Sequence, residues 1–302
     1  MMTRSEKRNF RNGLLFTTPW IIGFLGLHLY PIGYTFYLSL TEYSGFGKAA
    51  FIGLSNFNAL FHDALFLTSI KNTLYYSFLM VPLNMIVAVC IALAMNHDVR
   101  ETAVYRAILY LPSILPAFAL VFVWILFTNP QYGILNAAFR FFGLPFIDWI
   151  GDARYTKPSL VLLAQFGAGG PALIILAALR AIPTELYESA EIDGAGVFTK
   201  FSRITIPLIT PIILFNLIRG INGALQVFMQ AYILTSGGDR TGAVGPQNSL
   251  YFYILYLFNN AFKYSRMGYA ATMSVVFFAF TVLIAFLIFK SGRKWVYYET
   301  SE

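Results

Sequence analysis

Six long apolar tracts, separated by polar punctuation, set the pattern of this chain. They run from Leu14 to Leu40, Thr73 to Asn96, Ala107 to Thr128, Ser159 to Leu179, Pro207 to Thr235 and Gly268 to Phe289. A helix crosses the hydrocarbon core of a bilayer with about 20 apolar residues, so each tract reads as a membrane span. Pro31, Pro82, Pro112, Pro116 and Pro211 fall inside them. Such prolines would stop a soluble helix, yet a bundle tolerates them because neighbouring groups re-satisfy the freed backbone. The first tract is too long for the apolar region of a signal peptide and lacks a small-residue cleavage site, so it reads as retained. The pattern predicts an all-α integral membrane protein with six transmembrane helices. Residues 14–290 read as a single membrane domain between an N-terminal flank, 1–13, and a C-terminal tail, 291–302.

Composition supports this pattern. Of 302 residues, 58% are hydrophobic and only 12% charged, against about a quarter charged in soluble domains. An outer-membrane barrel would instead show alternating segments of about ten residues. The net charge of +7 reflects basic flanks rather than nucleic-acid binding, because no basic stripe is interleaved with aromatics. Lys and Arg concentrate on the side facing the cytoplasm. One set comprises Arg4, Lys7, Arg8, Arg11, Arg100, Arg106, Arg180, Lys200, Arg203, Lys290, Arg293 and Lys294. The opposite loops, which are much longer, hold Lys48, Lys71, Arg140, Arg154, Lys157, Arg240, Lys263 and Arg266. Both termini and the polar loop before the fifth tract are therefore expected in the cytoplasm.

Several chemistries are absent from the pattern. The six tracts contain no Asp or Glu, whereas ion-coupled carriers usually bury a carboxylate. His28, His62 and His97 lie far apart and Cys90 is the lone cysteine, so no metal site is assigned. No catalytic triad or Gly-x-x-x-x-Gly-Lys-[Ser/Thr] loop appears. The chain is not expected to be an enzyme, and uphill transport would need energy from another polypeptide.

The loop between the fourth and fifth tracts, residues 183–206, is unusually polar for its place. Thr184 suits a helix N-cap, and Glu185 and Glu188 favour the positive end of a helix. Leu186, Ser189, Ala190 and Asp193 share a helical face, with small residues that permit close approach of a partner. Asp193-Gly194-Ala195-Gly196 reads as a turn in which Gly194 is free to take a positive φ. A second helix carries Phe198, Phe201 and Ile204, and Pro207 and Pro211 are expected to end it and start the fifth span. An interfacial anchor would carry a Lys/Arg-rich face. The first helix is acidic instead, which favours a protein partner.

Residues 188–211 resemble the coupling motif of ABC-transporter permeases. Glu188, Ala190, Asp193, Gly194, Ala195, Phe201, Ile204, Pro207 and Pro211 stand at the motif's places, with Ser189 replacing the usual first alanine. Further pieces are similar to the sugar branch, specifically the first permease of maltose-type and glycerol-phosphate-type importers. They are Gly53-Leu54-Ser55-Asn56-Phe57, Lys71-Asn72-Thr73, Leu111-Pro112-Ser113-Ile114-Leu115-Pro116, Ala181-Ile182-Pro183 and Thr235-Ser236-Gly237-Gly238. The resemblance implies a cytoplasmic helix-turn-helix between spans four and five that docks into an ATPase. It also implies a second homologous permease, an ATPase dimer that binds ATP and Mg, and an extracytoplasmic solute-binding protein, with no cofactor held by this chain.

The same resemblance places the solute path along the flanking spans. In the fifth, Arg219, Asn222, Gln226 and Gln230 recur every three or four residues, with Gly223 among them. Polar groups in hydrocarbon face a bundle or a wet cavity, and helix–helix hydrogen bonding is the competing role. In the fourth, Gln165 and Phe166 precede Gly167-Ala168-Gly169-Gly170. An amide beside an aromatic ring suits a sugar, while Gly170 and its neighbours also fit a kink or close packing. The leading expectation is a neutral sugar or oligosaccharide. Glycerol phosphate or another acidic carbohydrate, a stand-alone ion-coupled carrier or channel, and an inert scaffold subunit are the alternatives.

Overall fold

The computed structural model describes residues 3–96, 102–236 and 244–297. Arg100, His97, Gly237, Gly238, Arg240 and the end of the tail, which the sequence reading used, lie outside these. The chain divides into two compact units, one of residues 1–63 and 257–280, the other of residues 64–256 and 281–302.

In the first unit, α1 (Arg4–Phe24) passes through a single π-helical stretch, Leu25–Leu29, into α2 (Tyr30–Ser39). The helix thus begins ten residues before the apolar tract, capped by Thr3, whose hydroxyl accepts from the Glu6 N–H while the Glu6 carboxylate accepts from Thr3. Strands β1 (Thr41–Glu42) and β2 (Ala50–Phe51) pair antiparallel, Thr41 opposite Phe51, and α3 (Ser55–Phe61) follows. Asn56 Nδ2 donates to the carbonyls of Ser39 and Thr41 at 3.2 and 2.9 Å, and Tyr269 donates to Asp63 at 2.7 Å.

The second unit is built from α4 (Ala64–Met95), α5 (Thr102–Ile114), α6 (Ala117–Phe127), α7 (Ile134–Phe141), α8 (Ala153–Ala164), α9 (Gly169–Arg180), α10 (Thr184–Ile192), α11 (Val197–Lys200), α12 (Ile206–Leu225) and α13 (Met229–Ser236). Helix α14 (Tyr253–Phe258) and α15 (Met267–Trp295) are shared between the two units. The core of this unit comprises Ala88, Ala92, Met95, Ala168, Ala172, Ile175, Leu176, Leu179 and Ile209. Helix α4 packs there against α9 and α12. Alanines on facing helices let backbones approach closely, which is how apolar helices associate without a hydrophobic driving force.

Among the described residues, five helices are long and apolar enough to cross a membrane: 8–39, 64–95, 153–180, 197–235 and 267–295. The third apolar tract does not form one straight helix. It breaks between α5 and α6 with a bend of 98°, at Leu115-Pro116. Proline supplies no N–H and pushes the preceding residue out of the α region. Pro112, one turn earlier, sits inside α5 without breaking it.

Two further expectations are corrected. Pro183, not Thr184, occupies the cap position of α10, and no side chain caps that end. Helix α11 does not end at the prolines. It runs through a π-helical stretch, Phe201–Thr205, directly into α12, with Pro207 just after that stretch; the widened turn lies where the proline's missing N–H removes a helical bond.

Large apolar side chains such as Phe16, Phe78, Phe118 and Phe286 are exposed along the apolar helices. A soluble monomer rarely shows so much exposed apolar surface, whereas helices of this length and composition are suited to cross a membrane.

Candidate functional site: a docking turn and a polar groove

The polar segment folds as α10, a tight turn and α11. Gly194 has φ +78°, the left-handed conformation that glycine alone adopts freely. Around it, the Gly194 N–H donates to the Glu191 carbonyl at 3.0 Å and the Ala195 N–H to the Ala190 carbonyl at 2.8 Å. This is the paired bonding of a Schellman motif, which satisfies the last carbonyls of α10. The turn presents Ile192, Val197 and Phe198 at 80–88% exposure. Glu188, Ser189, Asp193 and Gly194 are also exposed, while Ala190, Ala195, Phe201 and Pro207 are half-buried.

Two side-chain links hold the segment against the following helix. Tyr187 and Thr205 hydroxyls are 2.9 Å apart, with Thr205 buried. Lys200 Nζ donates to Glu191 Oε2 at 3.2 Å. That pair is largely exposed on the Glu191 side, so it contributes about 0–1 kcal/mol. The hydroxyl pair is partly buried, and Tyr187→Phe is expected to cost about 1 kcal/mol. A lowered unfolding midpoint of the detergent-solubilised protein, without loss of helicity, is the measurement. An unchanged midpoint would show that the link contributes nothing.

Further along the unit lie two adjoining cavities. The larger, about 450 Å³, is lined by Tyr76 and Met80 of α4, residues of α6 and α8, Gly167, and Gly223, Gln226, Phe228 and Gln230. The smaller, about 210 Å³, is lined by Asn84 and Met85 of α4, by Gly167 and Pro171, and by Asn216, Arg219 and Gly220 of α12. Met80 and Gly167 line both. The helix opens at Gln226 (φ −98°, ψ 20°), between α12 and α13, and this places Gln226 and Gln230 on the wall of the larger cavity.

The expected path residues are therefore distributed unevenly. Gly223, Gln226 and Gln230 come together, and Arg219 faces the adjoining cavity. Asn222 lines neither; its Oδ1 accepts from Gln226 Nε2 at 2.6 Å. Gln165, Phe166 and Gly170 also line neither. Gln165 donates to the Val161 carbonyl at 2.6 Å and accepts from Asn84 at 3.4 Å, while the Phe166 ring meets Trp124 edge-on at 6.1 Å. No atom lies within 4 Å of where a Gly170 Cβ would stand. The structure adds Tyr76, Asn84, Asn216 and Phe228. The rule that polar groups within spans face a cavity applies equally to Asn84 and Asn216, whereas nothing distinguishes Tyr76 among nineteen tyrosines.

Among the described residues, no group of three or more metal-binding side chains occurs. The site comprises apolar spans, a polar groove, and an exposed turn built into the helix that reaches the groove. Residues 80–296 match the family model described as "Binding-protein-dependent transport system inner membrane component". The chain belongs to this family, the membrane-embedded permeases of ABC importers.

It is 37% identical to the "Probable ABC transporter permease protein YesP" of Bacillus subtilis (strain 168), over 99% of this chain and 96% of the relative. It is 32% identical to the "Lactose transport system permease protein LacF" of Rhizobium radiobacter, over 94% of each. Among solved structures, its fold matches that of a chain in a bacterial alginate ABC transporter in complex with alginate pentasaccharide-bound periplasmic protein. The TM-score is 0.80 at 24% identity, over 97% of this chain and 98% of that one.

Proposed function

We propose that this permease forms half of the pore of an importer for a sugar or oligosaccharide. The observation that carries this reading is the larger cavity, whose wall combines the Gln226 and Gln230 amides with the Tyr76 and Phe228 rings. Amides bond hydroxyls and aromatic faces cover C–H surfaces, the two surfaces a pyranose presents. The naming of a lactose permease among its relatives supports the carbohydrate assignment.

In this reading the chain crosses the cytoplasmic membrane six times, with α5 and α6 together as one broken span. Both termini and the α10–α11 turn lie in the cytoplasm. A second homologous permease completes the pore. An ATPase dimer, which binds ATP and Mg, receives Glu188, Ser189, Ala190, Asp193, Gly194 and Ala195, with Phe201 and Pro207 behind them. A solute-binding protein delivers cargo on the opposite side, as the alginate transporter's complex suggests by analogy of fold.

Topology follows directly from this reading. A reporter fused after Glu302 is expected on the cytoplasmic side and one inserted near Gly238 on the external side, because one span separates them. Both reporters on one side would remove the six-span arrangement. Function is tested by reconstituting the complete transporter in liposomes and following labelled oligosaccharides. Uptake is expected to need ATP and all subunits; uptake driven by an ion gradient without ATP would replace this reading with a coupled carrier.

A further inference from the structure

The two adjoining cavities differ in charge. No ionisable group except the Tyr76 phenol lines the larger one, whereas the smaller one carries the Arg219 guanidinium beside the Asn84 and Asn216 amides. Arg219 is exposed, and among the described residues it makes no hydrogen bond or ion pair. It therefore does not brace this chain's own helices. No Asp or Glu lies in any of the six apolar tracts, so the chain offers no counter-charge from its spans. A cation at membrane depth without a partner is costly and marks a substrate or ion path by default. The spans of this chain therefore leave the guanidinium free to meet water, a second subunit or a solute.

We infer that the Arg219 cavity is an acid-recognising subsite, and that the solute is an oligosaccharide carrying a carboxylate or similar anionic group. This rests on the sugar-import reading, narrows it to acidic carbohydrate, and departs from the neutral sugar that the sequence led us to expect. Guanidinium presents paired N–H donors that match a carboxylate in two parallel bonds. Asn84 and Asn216 flank it with amides that suit neighbouring hydroxyls. Because Met80 and Gly167 border both cavities, one ring lies in the neutral cavity while the acidic group of the same solute reaches Arg219.

The test uses cells expressing the complete transporter, supplied with a labelled polysaccharide digest separated by anion exchange into neutral and acidic oligosaccharides. Uptake is expected from the acidic fraction. R219Q is expected to lower it at least about tenfold, equivalent to about 1.4 kcal/mol, with R219K, which keeps the charge but loses the paired donors, lowering it less than R219Q and the assembled complex intact on gel filtration. Uptake from the neutral fraction alone overturns the inference. So does acidic uptake that R219Q leaves unchanged. Equal loss in R219Q and R219K would assign Arg219 to a carboxylate or a packing contact of the second permease instead. Uptake from neither fraction sinks the sugar-import reading itself, a failure distinct from the others.

Discussion

Gly194→Val is expected to abolish solute uptake while the chain still inserts in the membrane. A φ of +78° is disfavoured for any residue with a Cβ and worst for a β-branched one. Forcing it costs about 1–3 kcal/mol. The strain is relieved only by opening the turn, which breaks the bonds from Gly194 to Glu191 and from Ala195 to Ala190. Ile192, Val197 and Phe198 then lose their fixed spacing on the exposed tip. No atom lies within 4 Å of the added Cβ, so the change acts through backbone conformation and not through a clash in the core. Membrane content by immunoblot should stay near wild type, while co-purification of the ATPase and uptake both fall at least tenfold. Normal uptake with normal ATPase binding would remove the docking role from this turn.

Gly169→Val is expected to reduce the folded protein itself. A Cβ at Gly169 would stand 2.5 Å from Ser113 Oγ and 2.8 Å from the Leu109 carbonyl oxygen. The second contact is backbone of α5, which cannot swing aside as a side chain can. Overpacking of this kind costs typically 1–3 kcal/mol, occasionally more, and valine adds two methyl groups beyond the Cβ. A fall in detergent-stable protein and a lower unfolding midpoint are the expected outcome, with Gly170→Val as the control because its Cβ meets open space. Equal stability of the two variants would show that α5 yields at this contact.

The sequence states the helices plainly because lipid demands long apolar runs and leaves few alternatives. It states the turn after α10 almost as plainly, since Asp193-Gly194-Ala195-Gly196 supplies a glycine where the end of a helix needs a left-handed residue. The break at Leu115-Pro116 is less legible: Pro82, Pro112 and Pro116 look alike in the chain, and only neighbouring packing decides which one separates two helices. The same holds for Pro207 and Pro211, which begin and ride within a continuous helix. Cavity walls are the least legible feature. The opening of the helix at Gln226 turns a regular spacing into an irregular one, so Gln226 and Gln230 reach the cavity while Asn222, on the same apparent stripe, bonds Gln226 instead.

The union of α11, the Phe201–Thr205 stretch and α12 into one rod has a mechanical consequence. From Val197 to Leu225 it extends about 43 Å at 1.5 Å per residue, longer than the roughly 30 Å apolar thickness of a bilayer. Such a rod converts angle into distance. If its Val197 end docks on a partner as proposed, a rotation of roughly 5° about that end carries the far end sideways by about 4 Å, on the order of the diameter of a water molecule and more. In that reading, force applied outside the membrane would arrive inside it as displacement. In the proposed coupling, the Tyr187–Thr205 link is where that lever would be gripped, and the opening at Gln226 where its motion would be released into the walls of the groove.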